Sequence, residues 1–491
     1  MKVRTRFAPS PTGFMHIGNL RTAIFEYLLA KKYDGDFILR IEDTDQERKV
    51  EGAIDFIYNT LNLCGFKIDE GPNNDKGYGP YIQSERKSIY LEYAIKLVEM
   101  KKAYYCFCTE EELASMREKA EMRKKPFLYD GRCSRLSKEQ IEENLKNNVP
   151  FVIRQKMPKE GFTIIEDEIY GKIRIENSIL DDQILLKSDG FPTYNFANVI
   201  DDHLMEITHV IRGKEYLDQT AKYNLLYEAF GWEKPTYIHV AMVLGEDGNK
   251  LSKRNGDASF MDLYNEGYLP NAIVNYLVLL GWSPEVNQEI FSMEELINNF
   301  NEKRISKSSS QYDVKKLKWF NHQYINKMDD DKYLEWIKKY FTINCEGKSE
   351  EWVNHLLLIY KSHLDYGNEI NELVKGFFDK DFKIEEEAQE FMKSDEIIPT
   401  VVKTFKEEIE NTNEWTVEAL SQVINNVKEK ARVKGKMLFM PIRIAASGIM
   451  HGPELADTLY LIGKEEILNN RIISHVSRPS LFNIWVHVIP S

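Results

Sequence analysis

Residues 2–43 read KVRTRFAPSPTGFMHIGNLRTAIFEYLLAKKYDGDFILRIED. The first seven, KVRTRFA, predict a short strand over 2–8 that Pro9 and Pro11 stop, with a turn at Thr12-Gly13. Leu20, Ala23, Ile24, Tyr27 and Leu28 then fall at i, i+3, i+4, i+7 and i+8, one face of a helix. DFILRIED, 36–43, predicts a second strand, apolar enough to be buried in a parallel sheet. AIDFIYNTLNL and the segment 84–100 predict two more helices. Strand, helix, strand, helix is the order of an α/β fold.

The four residues HIGN, 16–19, sit where the first strand has turned into the first helix. Unpaired backbone N–H groups and the positive end of the helix dipole favour phosphate there. Gly18 permits close approach to the backbone, and His16 and Asn19 add side-chain donors to the same concavity. Donors aimed at charge growing on phosphorus are what phosphoryl or adenylyl transfer requires. Plain helix capping explains HIGN equally well when it is taken alone. A second stretch tips the balance. GEDGNKLSKRNGD, 245–257, carries Lys250, Ser252, Lys253 and Arg254 between glycine-rich flanks. Three cations and a hydroxyl on such a loop can close over a triphosphate.

Between these stretches, 106–159 reads as a charged, partly helical insertion. Strand-like text returns with QILLKSDG, THVIRG and TYIHVAMVLG, with a helix from Tyr216 to Phe230. From about Pro270 to 472 the text is almost wholly helical. The chain has 491 residues, 43% of them hydrophobic, which suits several globular domains rather than disorder. A net charge of -13 repels nucleic acid, so an RNA partner requires local basic patches. Two are present: 303, 304, 307, 315, 316, 318 and 327 are basic, as are 428, 430, 432, 434, 436 and 443. Trp319, Phe320 and Tyr324 interleave the first and are candidates to stack on bases or sugars. The N-terminus lacks a secretory h-region, and the best apolar run, from Ala272, is too short for a bilayer. Five cysteines point to a reducing compartment, so a cytoplasmic protein without a membrane partner is expected. Cys106, Cys108 and Cys133 have the C-x-C…C spacing of three thiolate zinc ligands, with a fourth missing.

The HIGN and KLSKR pair resembles the HIGH-type and KMSKS-type signatures of the class I aminoacyl-tRNA synthetases. RFAPSPTGFMHIGNLRTA, LRIEDTDQER, GPYIQSER, DGFPTYNFANVIDDHLMEITHVIRGKE and LFMPIRIAASGIMHGPEL narrow the resemblance to the bacterial-type glutamyl-tRNA synthetases. It is dense over about 3–325 and more diffuse to about 472. APSPTG stands where glutaminyl relatives carry a PPEPNG-like segment. The resemblance implies an α/β Rossmann-type catalytic domain with an α+β insertion, followed by an all-α C-terminal anticodon-binding region. The implied divisions are 1–105 and 186–255 for the catalytic halves, 106–185 for an acceptor-end insertion, 256–325 for a stem-contact helical domain and 326–472 for the anticodon-binding region. No role is assigned to 473–491.

The implied reaction joins L-glutamate to the terminal adenosine of tRNA(Glu) through a glutamyl adenylate, with ATP and Mg²⁺. His16, Asn19, Lys250 and Lys253 are the expected catalytic residues; Gly18, Ser252 and Arg254 join them in holding ATP. Arg6, Ser10, Glu42, Tyr194, Asn198 and Arg212 match the family's amino-acid pocket, with Arg6 the reader of the side-chain carboxylate. This suits the substrate, because arginine offers a bidentate fork to a carboxylate and Glu42 offers a partner to the ammonium. Some relatives complete a structural Zn²⁺ site with a histidine, but Arg135 stands at that position. Tyr129 is the alternative oxygen ligand beside Cys106, Cys108 and Cys133. Charging of tRNA(Gln) as well, and a non-catalytic tRNA-binding paralogue with a fossil site, are the competing readings; a monomer is expected.

Overall fold

The computed structural model describes residues 2–13, 15, 17–249, 251, 259–378, 386–470 and 473. It opens with β1 (Arg4–Phe7), α1 (Ile17–Lys32), β2 (Asp36–Leu39), α2 (Ala53–Leu63) and α3 (Lys87–Glu99). Next come β3 (Ala103–Cys106), α4 (Glu110–Met122), α5 (Lys138–Lys146) and β4 (Val152–Gln155). A hairpin of β5 (Phe162–Asp167) and β6 (Gly171–Glu176) precedes β7 (Ile184–Leu186). The series α6 (Tyr194–Leu204), β8 (His209–Gly213), α7 (Thr220–Phe230), β9 (Thr236–Val240) and β10 (Val243–Leu244) then brings β8 back beside β1. α8 (Phe260–Glu266), α9 (Pro270–Leu279), α10 (Met293–Asn299), β11 (Ser310–Gln311) and α11 (Val314–Asn326) follow. The chain divides into two compact units, Met1–Tyr264 with Pro270–Leu317 and Asn265–Leu269 with Lys318–Ser491.

β1 and β2 pair in parallel from Arg4↔Asp36 to Phe7↔Leu39. Both are shorter than the expected 2–8 and 36–43. Pro9 and Pro11 have no N–H, so only half of the ladder continues: Pro9 O accepts Glu42 N (3.0 Å) and Pro11 O accepts Val50 N (2.9 Å). β8 and β9 are also parallel, and β5 and β6 extend their sheet in the order β6-β5-β9-β8. The two sheets meet where Thr208 N donates to Arg4 O (3.0 Å). α1 packs on β1, β2 and β8 and is itself covered by α9 and α10. It therefore buries Leu20, Ala23, Ile24, Tyr27 and Leu28 as the periodicity predicts, and Phe25 and Leu29 on its other side as well.

β3, β4 and β7 form a separate antiparallel sheet in the 106–186 region. β4 lies inside 106–159, expected as charged and partly helical, and β5 and β6 lie between that stretch and QILLKSDG, where no strand is expected. β6 is an edge strand and reads GKIRIE: it alternates, but with only two apolar residues, both half-buried, it is too short to stand out from a charged surface stretch. The expected long helices at 84 and 216 each begin later, at Lys87 and Thr220, after 3-10 turns at Gln83–Arg86 and Lys214–Tyr216.

The second unit holds helices and loops, with no strand among its described residues. It holds α12 (Asp330–Ile337), α13 (Glu350–Ile359), α14 (Ile370–Leu373), α15 (Glu386–Met392), α16 (Ile398–Asn411), α17 (Val417–Ala431), α18 (Lys436–Ser447), α19 (Leu455–Ile462) and α20 (Lys464–Asn469). Val401, Val402, Phe405, Leu420 and Val427 join Ile442 and Leu459 in one core. Two sequence expectations change here. Phe320 is 1% exposed and belongs to the interior, whereas Trp319 is 39% exposed. Arg443 leaves the second basic patch, because it is buried and donates to Thr458 Oγ1 and Pro453 O. No described helix is long and apolar enough to cross a membrane.

Candidate active site

A cavity of about 470 Å³ opens where β1, β8 and β9 end and α1 begins. Such a volume is ordinary for a small-ligand site. It brings together Arg6 and Ser10 from β1 and its turn, Gly18 and Asn19 from the mouth of α1, and Glu42 after β2. Tyr194 at the start of α6 and Arg212 in β8 complete the far wall. Asn198 is buried one turn after Tyr194, beside the Tyr223 hydroxyl, and does not line the cavity. His16, Lys250, Ser252, Lys253 and Arg254 lie outside the described residues.

The floor is a buried network of charge. Arg6 Nε donates to Asp202 Oδ1 (3.0 Å) and its Nη1 to Glu26 Oε1 (3.2 Å). Arg40, wholly buried, donates from Nη1 to Asp202 Oδ1 (2.7 Å) and from Nη2 to Glu42 Oε1 (2.8 Å). Burial opposes every charge here, and the partners decide which survive. For Asp202 the two arginines prevail over burial and hold its carboxylate below the usual range. For Glu26 burial prevails over Arg6 and pushes the carboxyl well up; its Oε2 has no hydrogen-bond partner. Burial also raises Glu42 against the pull of Arg40. The site thus keeps its arginines positive and Asp202 ionised, while burial works against the charge of Glu26 and Glu42, a balance suited to receiving an anionic ligand.

Arg21 anchors the helix mouth. It donates to Leu280 O (2.7 Å) and Ala241 O, and burial lowers its pKa to about 10. Asp43, read from sequence as a cap or loop acid, is buried and takes Ser84 N and Ser84 Oγ (2.8 Å each).

Residues 2–319 match the catalytic domain of "tRNA synthetases class I (E and Q)", and 331–473 match an anticodon binding domain. A glutamate–tRNA ligase of Clostridium novyi (strain NT) is 50% identical over 476 residues, covering 95% of this chain and 96% of that one. One from Clostridium tetani (strain Massachusetts / E88) is 49% identical over 475 residues, with 95% and 96% covered. The crystal structure of a glutamate tRNA ligase from Elizabethkingia meningosepticum, in complex with its amino acid, superposes with a TM-score of 0.88 at 36% identity, over 97% of this chain and 100% of that one. The chain belongs to the glutamate–tRNA ligase family of class I tRNA synthetases.

Within this glutamate–tRNA ligase fold a second cluster lies in the 106–186 region. Cys106, Cys108 and Cys133 place their sulfurs within 4.8 Å of one another. The Tyr129 hydroxyl is 3.4 Å from Cys106 Sγ and 3.2 Å from Cys108 Sγ. Four ligands at zinc–sulfur distances of about 2.3 Å stand about 3.8 Å apart in a tetrahedron, so three thiols and a phenol in this spacing fit Zn²⁺. Arg135 is exposed and outside the cluster. Arg154 lies over the Tyr129 ring at 4.2 Å. Sequence reading of this ligase fold missed Glu26, Arg40 and Asp202, although Arg40 and Asp202 lie inside LRIEDTDQER and DGFPTYNFANVIDDHLMEITHVIRGKE, stretches that carry the resemblance. The local signal was a charge set among apolar residues: Glu26 in α1, Arg40 just after β2 and Asp202 in α6.

Proposed function

We propose that the chain is an ATP-dependent glutamate–tRNA ligase. The observation that carries this reading is the single cavity in which Arg6, Glu42, Tyr194 and Arg212 meet the N-terminus of α1. Two arginines meet the two carboxylates of glutamate, and Glu42 meets its ammonium. The α-carboxylate attacks the α-phosphorus of Mg²⁺-ATP in line, and pyrophosphate departs. His16 and Asn19, together with Lys250 and Lys253, stabilise the charge on phosphorus and the leaving group. Ser252 and Arg254 hold the triphosphate with Gly18. Asn198 supports the pocket from behind, through Tyr223. The adenylate then passes its glutamyl group to the 2′-hydroxyl of the terminal adenosine of tRNA(Glu). The carboxylate is already a competent nucleophile, so positioning and electrostatics supply the rate. A cytoplasmic monomer fits this reading.

ATP–pyrophosphate exchange dependent on glutamate and tRNA tests it; folded protein without exchange overturns it. Arg6→Lys is expected to raise the KM for glutamate about tenfold or more, the worth of a lost charged hydrogen bond, while the KM for ATP holds. Equal damage to both would move Arg6 out of the amino-acid pocket.

Cys106, Cys108, Cys133 and Tyr129 would hold one structural Zn²⁺, which ties the end of β3 to the turn at Arg132–Arg135. Metal analysis of purified protein is expected to find about one zinc per chain, with a lower melting temperature after chelation. A zinc content near zero would end the assignment.

A further inference from the structure

The Arg212 guanidinium is held from behind by a buried relay that no motif announces. Its Nε donates to His239 Nε2 (3.1 Å) and its Nη2 to Thr220 Oγ1 (2.8 Å). Nη1 has no hydrogen-bond partner among the described residues, and Arg212 lines the cavity. The rings of Tyr223 and Tyr237 lie 4.7 Å and 5.4 Å from its central carbon and confine the guanidinium plane.

Hydrogen-bond logic assigns the histidine tautomer. Arginine can only donate, so His239 Nε2 must be bare and accepting. The ring proton therefore sits on Nδ1, which meets Asp167 Oδ2 at 2.7 Å. Asp167 is itself pinned by His239 N (3.0 Å), Ile169 N (2.9 Å) and Tyr170 N (2.8 Å). Neither His239 nor the Asp167 side chain has any exposure. Burial keeps His239 below the usual histidine pKa, against the pull of Asp167, so the ring is neutral. Asp167 closes the β5–β6 turn, and the relay runs from that turn through β9 to the cavity wall on β8.

We propose that His239, with its tautomer set by Asp167, is the positioning residue that aims Arg212 at a carboxylate of the amino-acid substrate. This rests on the reading of the cavity as a glutamate site. Only a bare Nε2 can receive Arg212 Nε; a proton there would set donor against donor and turn the guanidinium away.

The test compares His239→Ala, His239→Gln and Asp167→Asn in ATP–pyrophosphate exchange with tRNA present. His239→Ala is expected to raise the KM for glutamate about tenfold or more, the KM for ATP staying within twofold. His239→Gln, whose amide oxygen can accept from Arg212, is expected to recover most of that loss. Asp167→Asn turns one accepting oxygen into a donor; with the remaining oxygen kept by the Ile169 and Tyr170 N–H groups, the amide NH2 faces Nδ1 and favours the other tautomer, with the same selective rise in glutamate KM. In the wild-type chain, ¹⁵N spectra of the imidazoles should show His239 protonated on Nδ1 at neutral pH. An unmoved glutamate KM in an active wild-type background, equal changes in both KM values and kcat, or a proton on Nε2 each overturns the relay. Loss of glutamate-dependent exchange in the wild-type protein itself would instead overturn the glutamate reading, and the relay's purpose with it.

Discussion

Arg40→Met is expected to lower the stability of the first unit by about 3–5 kcal/mol, the usual cost of leaving a buried ion without its partner. Arg40 has no exposure, and two of its nitrogens lie on Asp202 (2.7 Å) and Glu42 (2.8 Å). Methionine fills much of the same volume, so little of the loss would come from packing. Asp202 would keep Arg6, whereas Glu42 would lose the partner that opposes its burial. A urea titration followed by tryptophan fluorescence reads the effect. The penalty should shrink as pH is lowered. Glu42 already titrates above the usual glutamate value, and without Arg40 it takes up its proton at still higher pH, so the variant gains on the wild type as protons are supplied. A loss below about 1 kcal/mol at neutral pH would mean that Glu42 is already neutral in the native protein and that Arg40 holds Asp202 alone.

Lys253→Ala is expected to slow glutamate-dependent ATP–pyrophosphate exchange by about 10²-fold or more, the scale on which a preorganised charge partner of the transition state acts. The grounds are chemical. KLSKR carries Lys250, Lys253 and Arg254 within five residues, and negative charge on a triphosphate moves toward the departing pyrophosphate as the bond breaks. A cation that follows that charge acts on the turnover more than on ground-state binding. The fall should therefore appear in kcat, with the KM for ATP changing less. An unaltered rate would make the loop a bystander.

Much of the fold was legible because its signals are local. The helix face from Leu20 to Leu28, the whole of AIDFIYNTLNL and the apolar DFIL follow from side-chain periods of 3.6 and 2. The edge hairpin Phe162–Glu176 was not legible, because one face of β6 is in water and only Ile173 and Ile175, both half-buried, mark the other. Phe320 and Arg443 were misread for a related cause. A helix shows which residues share a face, but its neighbours decide which face is covered.

The amino-acid sequence by itself determined the order of strands and helices, the expectation that HIGN and KLSKR seek phosphate, and the residue types offered to a dicarboxylate. Those properties belong to short stretches and survive without knowledge of what packs against them. Only the tertiary structure decided which charges meet. Arg6 finds Asp202 across 196 positions, Arg40 finds the same carboxylate across 162, and His239 finds Asp167 across 72. Coulombic and hydrogen-bond energies depend on distance and burial, and neither is a function of separation along the chain until the sheet has brought its strand ends together.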